Sequence, residues 1–206
     1  MIKTIIFDIG RVLVGYDWDT HLMRLFNNDR ALVDRLEDAL FKHGIWDEVD
    51  RGVWSEEELI AGFLKYAPDL ETEIRYFWNN AGGALWQYDF TKDWLRDLKK
   101  QGYQLLYLSN WSDHMRQQAA EQLDFLPLLD GGVFSYECNL IKPDRAIYER
   151  IAEIYNLTPA ECVFLDDLEA NVNAARECGF KGIQVTSHER AVEELQQVKK
   201  DSVGRP

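Results

Sequence analysis

Five short apolar segments punctuate the chain: KTIIFDI, YQLLYLS, GGVFSY, CVFLD and KGIQVT. They are rich in β-branched and aromatic residues and do not alternate with polar ones. That pattern predicts strands covered on both faces, as in a parallel sheet. Helical periodicity fills the gaps between them, over 90–101, 112–123, 143–156, 167–178 and 188–199. Strand–helix–strand alternation predicts an α/β fold, a Rossmann-like doubly wound parallel sheet.

One connection breaks the rhythm. Between the first strand and YQLLYLS, the pattern gives no strand-like run over about 90 residues, far longer than an ordinary βα connection. Helical spacing is read there over 19–27, 29–43, 55–67 and 69–79. SEEELIAGFLKY shows a serine N-cap at Ser55 and three acidic residues in its first turn, both favourable at a helix N-terminus. Residues 15–88 are therefore expected to form an inserted helical cap, and 1–14 with 89–206 the α/β core. A polar tail, KKDSVGRP, is expected to fray.

Composition narrows the classes of partner. The 206 residues are 46% hydrophobic, enough for a packed core, and carry 36 acidic against 23 basic side chains, a formal charge of −13. Nucleic acid and anionic membranes are poor partners for such a surface. A small anionic substrate needs a local positive or metal site. The three cysteines, Cys138, Cys162 and Cys178, form no CxxC pair and read as buried reduced thiols. The N-terminal apolar run is too short for a signal segment, and no stretch reaches the roughly 20 apolar residues that span a bilayer. The expectation is a cytoplasmic protein, monomeric or homodimeric.

The polar residues that end the strands carry the candidate chemistry. In open α/β sheets, ligands bind at the carboxyl ends of the strands. The first strand delivers Asp8, the second Ser109 and Asn110, and the fourth Asp166 and Asp167. After the third comes IKPD, in which Pro143 is expected to open a helix and to keep Lys142 extended. If the strands are neighbours, three carboxylates, a hydroxyl and an ammonium converge. Three carboxylates at one edge repel unless a cation lies among them, and hard oxygen donors with water suit Mg²⁺. Asn171 lies four residues after Asp167, on the same helical face, where it is expected to orient Asp167 or a ligand water. Lys142 and Ser109 suit the oxygens of a phosphate.

These segments resemble the motifs of the haloacid dehalogenase superfamily. IIFDIGRVLV resembles the first, which carries an aspartate nucleophile, LYLSN the second, IKPD the third and VFLDDLEANVNAARECGF the acidic fourth. The fourth is especially similar to that of sugar-phosphatase-like members and of the N-terminal phosphatase domain of soluble epoxide hydrolases. The insert falls where the family places a helical cap. The resemblance implies a Mg²⁺-dependent phosphomonoesterase for a small phosphorylated metabolite, such as a sugar phosphate. Asp8 would form an aspartyl-phosphate. Mg²⁺ would be held by Asp8, the Gly10 carbonyl and Asp167, with Asp166 acting through water. Lys142, Ser109 and the Asn110 amide would hold phosphoryl oxygens.

The chain departs from that pattern at one letter. The family's phosphatases place a second aspartate, the acid–base group, where this chain has Gly10. A positioned acid or base is worth about 10²- to 10⁴-fold, so the departure leaves two alternatives: a slow or inactive phosphometabolite-binding protein, or a metal-independent 2-haloacid dehalogenase. Candidate replacements near motif one are Asp17, Asp19 and His21, which also read as the cap and first turn of a helix. Arg11 is expected either to pair with Asp17 or to reach substrate. Trp46, Arg51 and Trp54 in the insert, and Trp111 after motif two, are expected to pack the core or to line the substrate pocket.

Overall fold

The computed structural model describes residues 1–203, with side chains to Asp201. Five parallel strands form the main sheet: β1 (Thr4–Phe7), β4 (Gln104–Ser109), β5 (Gly131–Phe134), β6 (Cys162–Asp166) and β7 (Lys181–Gln184), in the spatial order β5-β4-β1-β6-β7. All five apolar segments become strands. β1 lies at the centre, with Phe7 opposite Tyr107 of β4 and Leu165 of β6.

The sheet explains why these runs do not alternate. Ile5 and Phe7 enter one core layer and Ile6 the other, and Val163 and Leu165 are likewise separated from Phe164. Both faces are covered, by α6 (Thr91–Lys100), α7 (Asp113–Gln118), α8 (Ser135–Cys138), α9 (Arg145–Ile154), α10 (Glu169–Glu177) and α11 (His188–Val203). Each fully buried Ile, Leu or Phe contributes about 1.5–3 kcal/mol.

Between β1 and α6 the chain forms α1 (Trp18–Leu25), α2 (Arg30–Phe41), α3 (Ile45–Arg51), α4 (Glu56–Leu64) and α5 (Glu71–Asn80). A short antiparallel ribbon, β2 (Val14–Tyr16) with β3 (Leu85–Gln87), closes the base of this insert. The helices pack on an aromatic cluster in which Trp18, Phe41 and Trp46 lie with ring centroids 5.1–5.6 Å apart. The capping box predicted at Ser55 is present: its hydroxyl accepts from the Glu58 N–H, and the Glu58 carboxylate accepts from the Ser55 N–H.

Several expectations are corrected. The ribbon and α3 were not foreseen. α3 lies between Gly44 and Gly52, both with left-handed backbone, and two glycines in nine residues read as loop. The helix expected from residue 143 begins at Arg145; the Lys142–Pro143 peptide is cis, and Asp144 is the N-cap. The helix expected over 112–123 ends at Gln118. The tail expected to fray over 199–206 continues α11 as far as Val203, and its remaining residues lie outside the described part. Of the three free cysteines only Cys162 is buried; the other two are half-buried. No helix among the described residues is long and apolar enough to cross a membrane.

Candidate active site

The strand order decides the site. Because β1 lies between β4 and β6, the residues ending these three strands become neighbours. Asp8 follows β1, and its backbone N–H continues the ladder to the Leu165 carbonyl at 2.8 Å. Its Oδ1 accepts from the Ser109 hydroxyl at 2.6 Å and from the Ile9 N–H at 2.7 Å.

Lys142 reaches in from the turn before α9. Its Nζ lies 2.9 Å from Asp8 Oδ1 and 2.6 Å from Asp166 Oδ2, with 1% of its side chain exposed. Asn110 fastens it: the Asn110 amide donates to the Lys142 carbonyl at 3.0 Å and accepts from its N–H at 2.8 Å.

Asp166 is fully buried and bound on both oxygens. Besides Lys142, it accepts from the Leu168 N–H at 2.8 Å and from the Asn171 amide at 3.0 Å to each oxygen. Asn171 therefore holds Asp166 and not Asp167, a correction with a local cause. α10 begins only at Glu169, so the helical spacing from Asp167 does not apply. Asp167 itself is half-buried and lines the cavity.

The electrostatics follow from burial. Desolvation is the main force raising the Asp8 pKa to about 6; repulsion from Asp166 adds to it, and Lys142 and the Ser109 hydroxyl oppose it. Desolvation pulls Lys142 down, but its two carboxylates outweigh this and hold it above its ordinary value. Burial, then Asp166, raise Asp167. Ligand atoms of Asp8, Asp166 and Asp167 lie within 4.8 Å of one another. Three carboxylates against one ammonium leave two formal negative charges unmatched. Oxygen donors with that charge suit a divalent hard cation.

A cavity of about 560 Å³ opens above this edge, between the sheet and the insert. Asp8, Gly10, Ser109, Asn110 and Lys142 form its floor, and Arg11, Trp46 and Trp111 line it, as the sequence suggested. Trp46 also packs in the aromatic cluster, so it serves both expected roles. The Trp111 indole N–H is buried without a hydrogen-bond partner among the described residues. Trp54 packs instead beside Gly62, and Arg51 lies 3.4 Å from Glu48 and 3.8 Å from Asp144.

Three candidates near motif one leave the site. Asp17 caps α1, accepting from the Thr20 N–H and hydroxyl. Asp19 pairs with Arg30 at 2.5 Å. His21 is buried against the Asn80 carbonyl at 2.8 Å. Arg11 does not pair with Asp17; its guanidinium lies 4.8 Å from the centre of the Tyr16 ring, a cation–π contact. Its left-handed backbone (φ 56) sets that direction.

Tyr16 and Asp50 line the cavity but were not singled out in the sequence. A Cβ added to Gly10 would lie 3.3 Å from Tyr16 Cε1, so the ring occupies the space beside the glycine. Burial keeps the Tyr16 phenol protonated above its usual range. Asp50 had no sequence signal beyond its place in WDEVD.

Comparison with known proteins places the fold. The chain is 27% identical over 197 residues to a D-ribitol-5-phosphate phosphatase of Bacteroides thetaiotaomicron, covering 89% of this chain and 92% of that protein. It is 26% identical over 196 residues to the sesquiterpene phosphatase astK of Aspergillus oryzae, covering 95% and 96%. A crystal structure of a HAD-family enzyme from B. thetaiotaomicron, in complex with magnesium and inorganic phosphate, shares the fold with a TM-score of 0.73 at 21% identity, covering 91% of this chain and 96% of that one. The haloacid dehalogenase-like hydrolase family model matches residues 2–179, and the chain belongs to that family.

Proposed function

We propose that this hydrolase is a Mg²⁺-dependent phosphomonoesterase of small phosphorylated metabolites, acting through an aspartyl-phosphate on Asp8. The observation that carries the reading is the Lys142 ammonium bonded to both Asp8 and Asp166, beside a carboxylate cluster with two unmatched charges. A metal-independent attack on carbon has no use for that cluster.

The donors fit Mg²⁺: the Asp8 carboxylate, the Gly10 carbonyl and Asp167 would hold it, with Asp166 acting through water. Bound there, Mg²⁺ supplies charge neutralisation between nucleophile and phosphate. Lys142 and Ser109, which now bond to Asp8, are placed to receive phosphoryl oxygens, together with the Asn110 N–H. Asn171 keeps the fully buried Asp166 in place. Residues 15–88 act as the cap, excluding water and shaping the pocket. The half-buried Trp46 face and the unpartnered Trp111 N–H suit a polyol or sugar, which presents C–H faces and hydroxyls together. The two phosphatases named above act on a polyol phosphate and a terpenoid phosphate, so the aromatic lining leaves the carbon skeleton to be measured.

The test is turnover of a phosphometabolite panel with and without Mg²⁺. Release of phosphate that requires both Mg²⁺ and Asp8 is expected. Turnover that survives Asp8→Asn rejects the nucleophile.

A further inference from the structure

A phosphomonoester with an alkyl leaving group needs a proton on that oxygen as it departs, and the hydrolytic water must then lose one. None of the groups fixed at the sheet edge is free to do this. Lys142 is held between Asp8 and Asp166, and the Ser109 hydroxyl donates to Asp8. The Arg11 guanidinium is turned against the Tyr16 ring. Gly10 has no side chain, and the Tyr16 ring fills the space next to it.

The insert brings one more group into the same cavity. Asp50 is the penultimate residue of α3, and the end of that helix is seated on the core segment between β5 and Lys142. The Ser135 hydroxyl donates to the Asp50 carbonyl at 2.5 Å, and the Asn139 amide donates to the Arg51 carbonyl at 3.0 Å. The Arg51 guanidinium lies 3.8 Å from Asp144. A Cβ on Gly52 would lie 2.7 Å from Tyr136 Cβ, so the two parts are pressed together here. The backbone of Asp50 is thus fastened to the core, the residue lines the cavity with Asp8 and Lys142, and its carboxyl group feels the charges of both.

We propose that Asp50 is the acid–base group of this site, carried by the insert in place of the carboxylate missing at position 10. The proposal rests on the phosphomonoesterase reading above. In the first step Asp8 Oδ forms a bond to phosphorus and the bond to the leaving oxygen breaks. The leaving oxygen keeps the electron pair and takes the Asp50 proton, and the alcohol departs. In the second step water attacks phosphorus, and the bond to Asp8 breaks with its electron pair returning to the carboxylate. The proton of the water passes to Asp50, which is then restored, and inorganic phosphate leaves.

The surroundings keep Asp50 in the form this role needs. Among the described residues nothing hydrogen-bonds its carboxyl group. Burial, then repulsion from Asp47 and Asp8, outweigh attraction to Lys142 and raise its pKa to about 8. The other titratable group facing it is Tyr16 on β2. These surroundings favour the protonated carboxyl group, the form a general acid needs.

The experiment uses the full chain with Mg²⁺ and three aromatic phosphates of similar shape and rising leaving-group basicity: p-nitrophenyl, phenyl and benzyl phosphate. In Asp50→Asn, p-nitrophenyl phosphate is expected to give a burst near one equivalent, followed by slowed turnover, because a good leaving group needs no proton. Benzyl phosphate is expected to lose about 10²-fold or more in the phosphorylation step. Asp50→Glu, which keeps a carboxyl group, should recover part of that loss. In the wild type, measurable whatever the variants do, benzyl phosphate turnover should fall as pH rises through about 8, relative to the p-nitrophenyl phosphate burst. An equal loss on all three substrates, a pH-independent ratio, or the same leaving-group-dependent loss in Tyr16→Phe overturns the assignment of Asp50. A wild-type protein that forms no phosphoenzyme from any of them overturns the phosphatase reading, and this one with it.

Discussion

The two walls of the cavity are built in opposite ways. At the sheet edge Asp166 and Lys142 are held from several directions: Asp166 by Lys142, Asn171 and the Leu168 N–H, and Lys142 by two carboxylates and by Asn110 through its backbone. In the insert, Asp50 is held only through its main chain, on a seven-residue helix bounded by two glycines. Asp8, Ser109 and Asp166 are set by the parallel register of β1, β4 and β6, and Lys142 is bonded to two of them. The group proposed to shuttle a proton rests on a segment whose place depends on how well one surface docks on another. Such segments belong to the low-stability end of a structure, where opening is least costly.

That contrast can be tested from both sides. The largest effect is expected at the locked wall: Asp8→Asn should lower phosphatase turnover by about 10⁴-fold or more, as loss of a nucleophile does elsewhere, with no phosphoenzyme in an acid-quench experiment. Chelation of divalent ions should abolish turnover, and Mg²⁺ should restore it. Next comes Lys142→Ala. It leaves the fully buried Asp166 without its cation, and breaking such a pair costs about 3–5 kcal/mol, to be read as a lowered denaturant midpoint. A midpoint within error of wild type would show that the edge is less locked than its geometry indicates.

At the docked wall the effects are smaller and differ in kind. In Gly52→Ala, a side chain at φ 69 would be driven against Tyr136. The expected cost is about 1–3 kcal/mol, with a larger loss of turnover on benzyl than on p-nitrophenyl phosphate, since Asp50 is displaced. Equal losses would separate the docking of α3 from proton transfer. A last effect concerns stability alone. The Asp50 pKa is raised to about 8 in the folded chain, against about 3.9 in an unfolded one. Between those values the folded state binds the extra proton, so this residue's contribution to stability falls as pH rises from about 4 to about 8. Asp50→Asn should therefore be more stable than wild type at pH 8, read as a difference in Tm that widens from pH 4 to pH 8 and is gone near pH 4.

Much of the sheet wall was legible in the sequence because its signals are local and strong. A strand buried on both faces must be apolar throughout, so the first polar residue marks its end. Reading those ends gave Asp8, Ser109, Asn110, Asp166 and Asp167 as one set, and IKPD gave Lys142. The sequence left two outcomes open where one local rule served both. Asp17 in YDWDTH reads as a helix cap or as a replacement acid–base group, and the cap reading holds. Asn171 has the spacing to reach Asp167, yet the chain is not helical there, and both amide contacts go to Asp166. A seven-residue helix is also too short to be stable alone, so α3 exists by its packing, which no local pattern encodes.

The amino-acid sequence alone determined the five strands, the helices between them, the insertion after Asp8 and the chemistry available at the strand ends. Each of these follows from burial requirements within a few residues. Tertiary structure decided the rest. The order β5-β4-β1-β6-β7 made Asp8, Ser109 and Asp166 neighbours across about 160 residues of chain. Packing of β2 put the Tyr16 ring beside Gly10, and docking of α3 on the segment before Lys142 brought Asp50 over the same cavity. Position 10 shows the division plainly: the sequence reveals that a carboxylate is missing, and only the fold, by closing a distant helix over the sheet, supplies another.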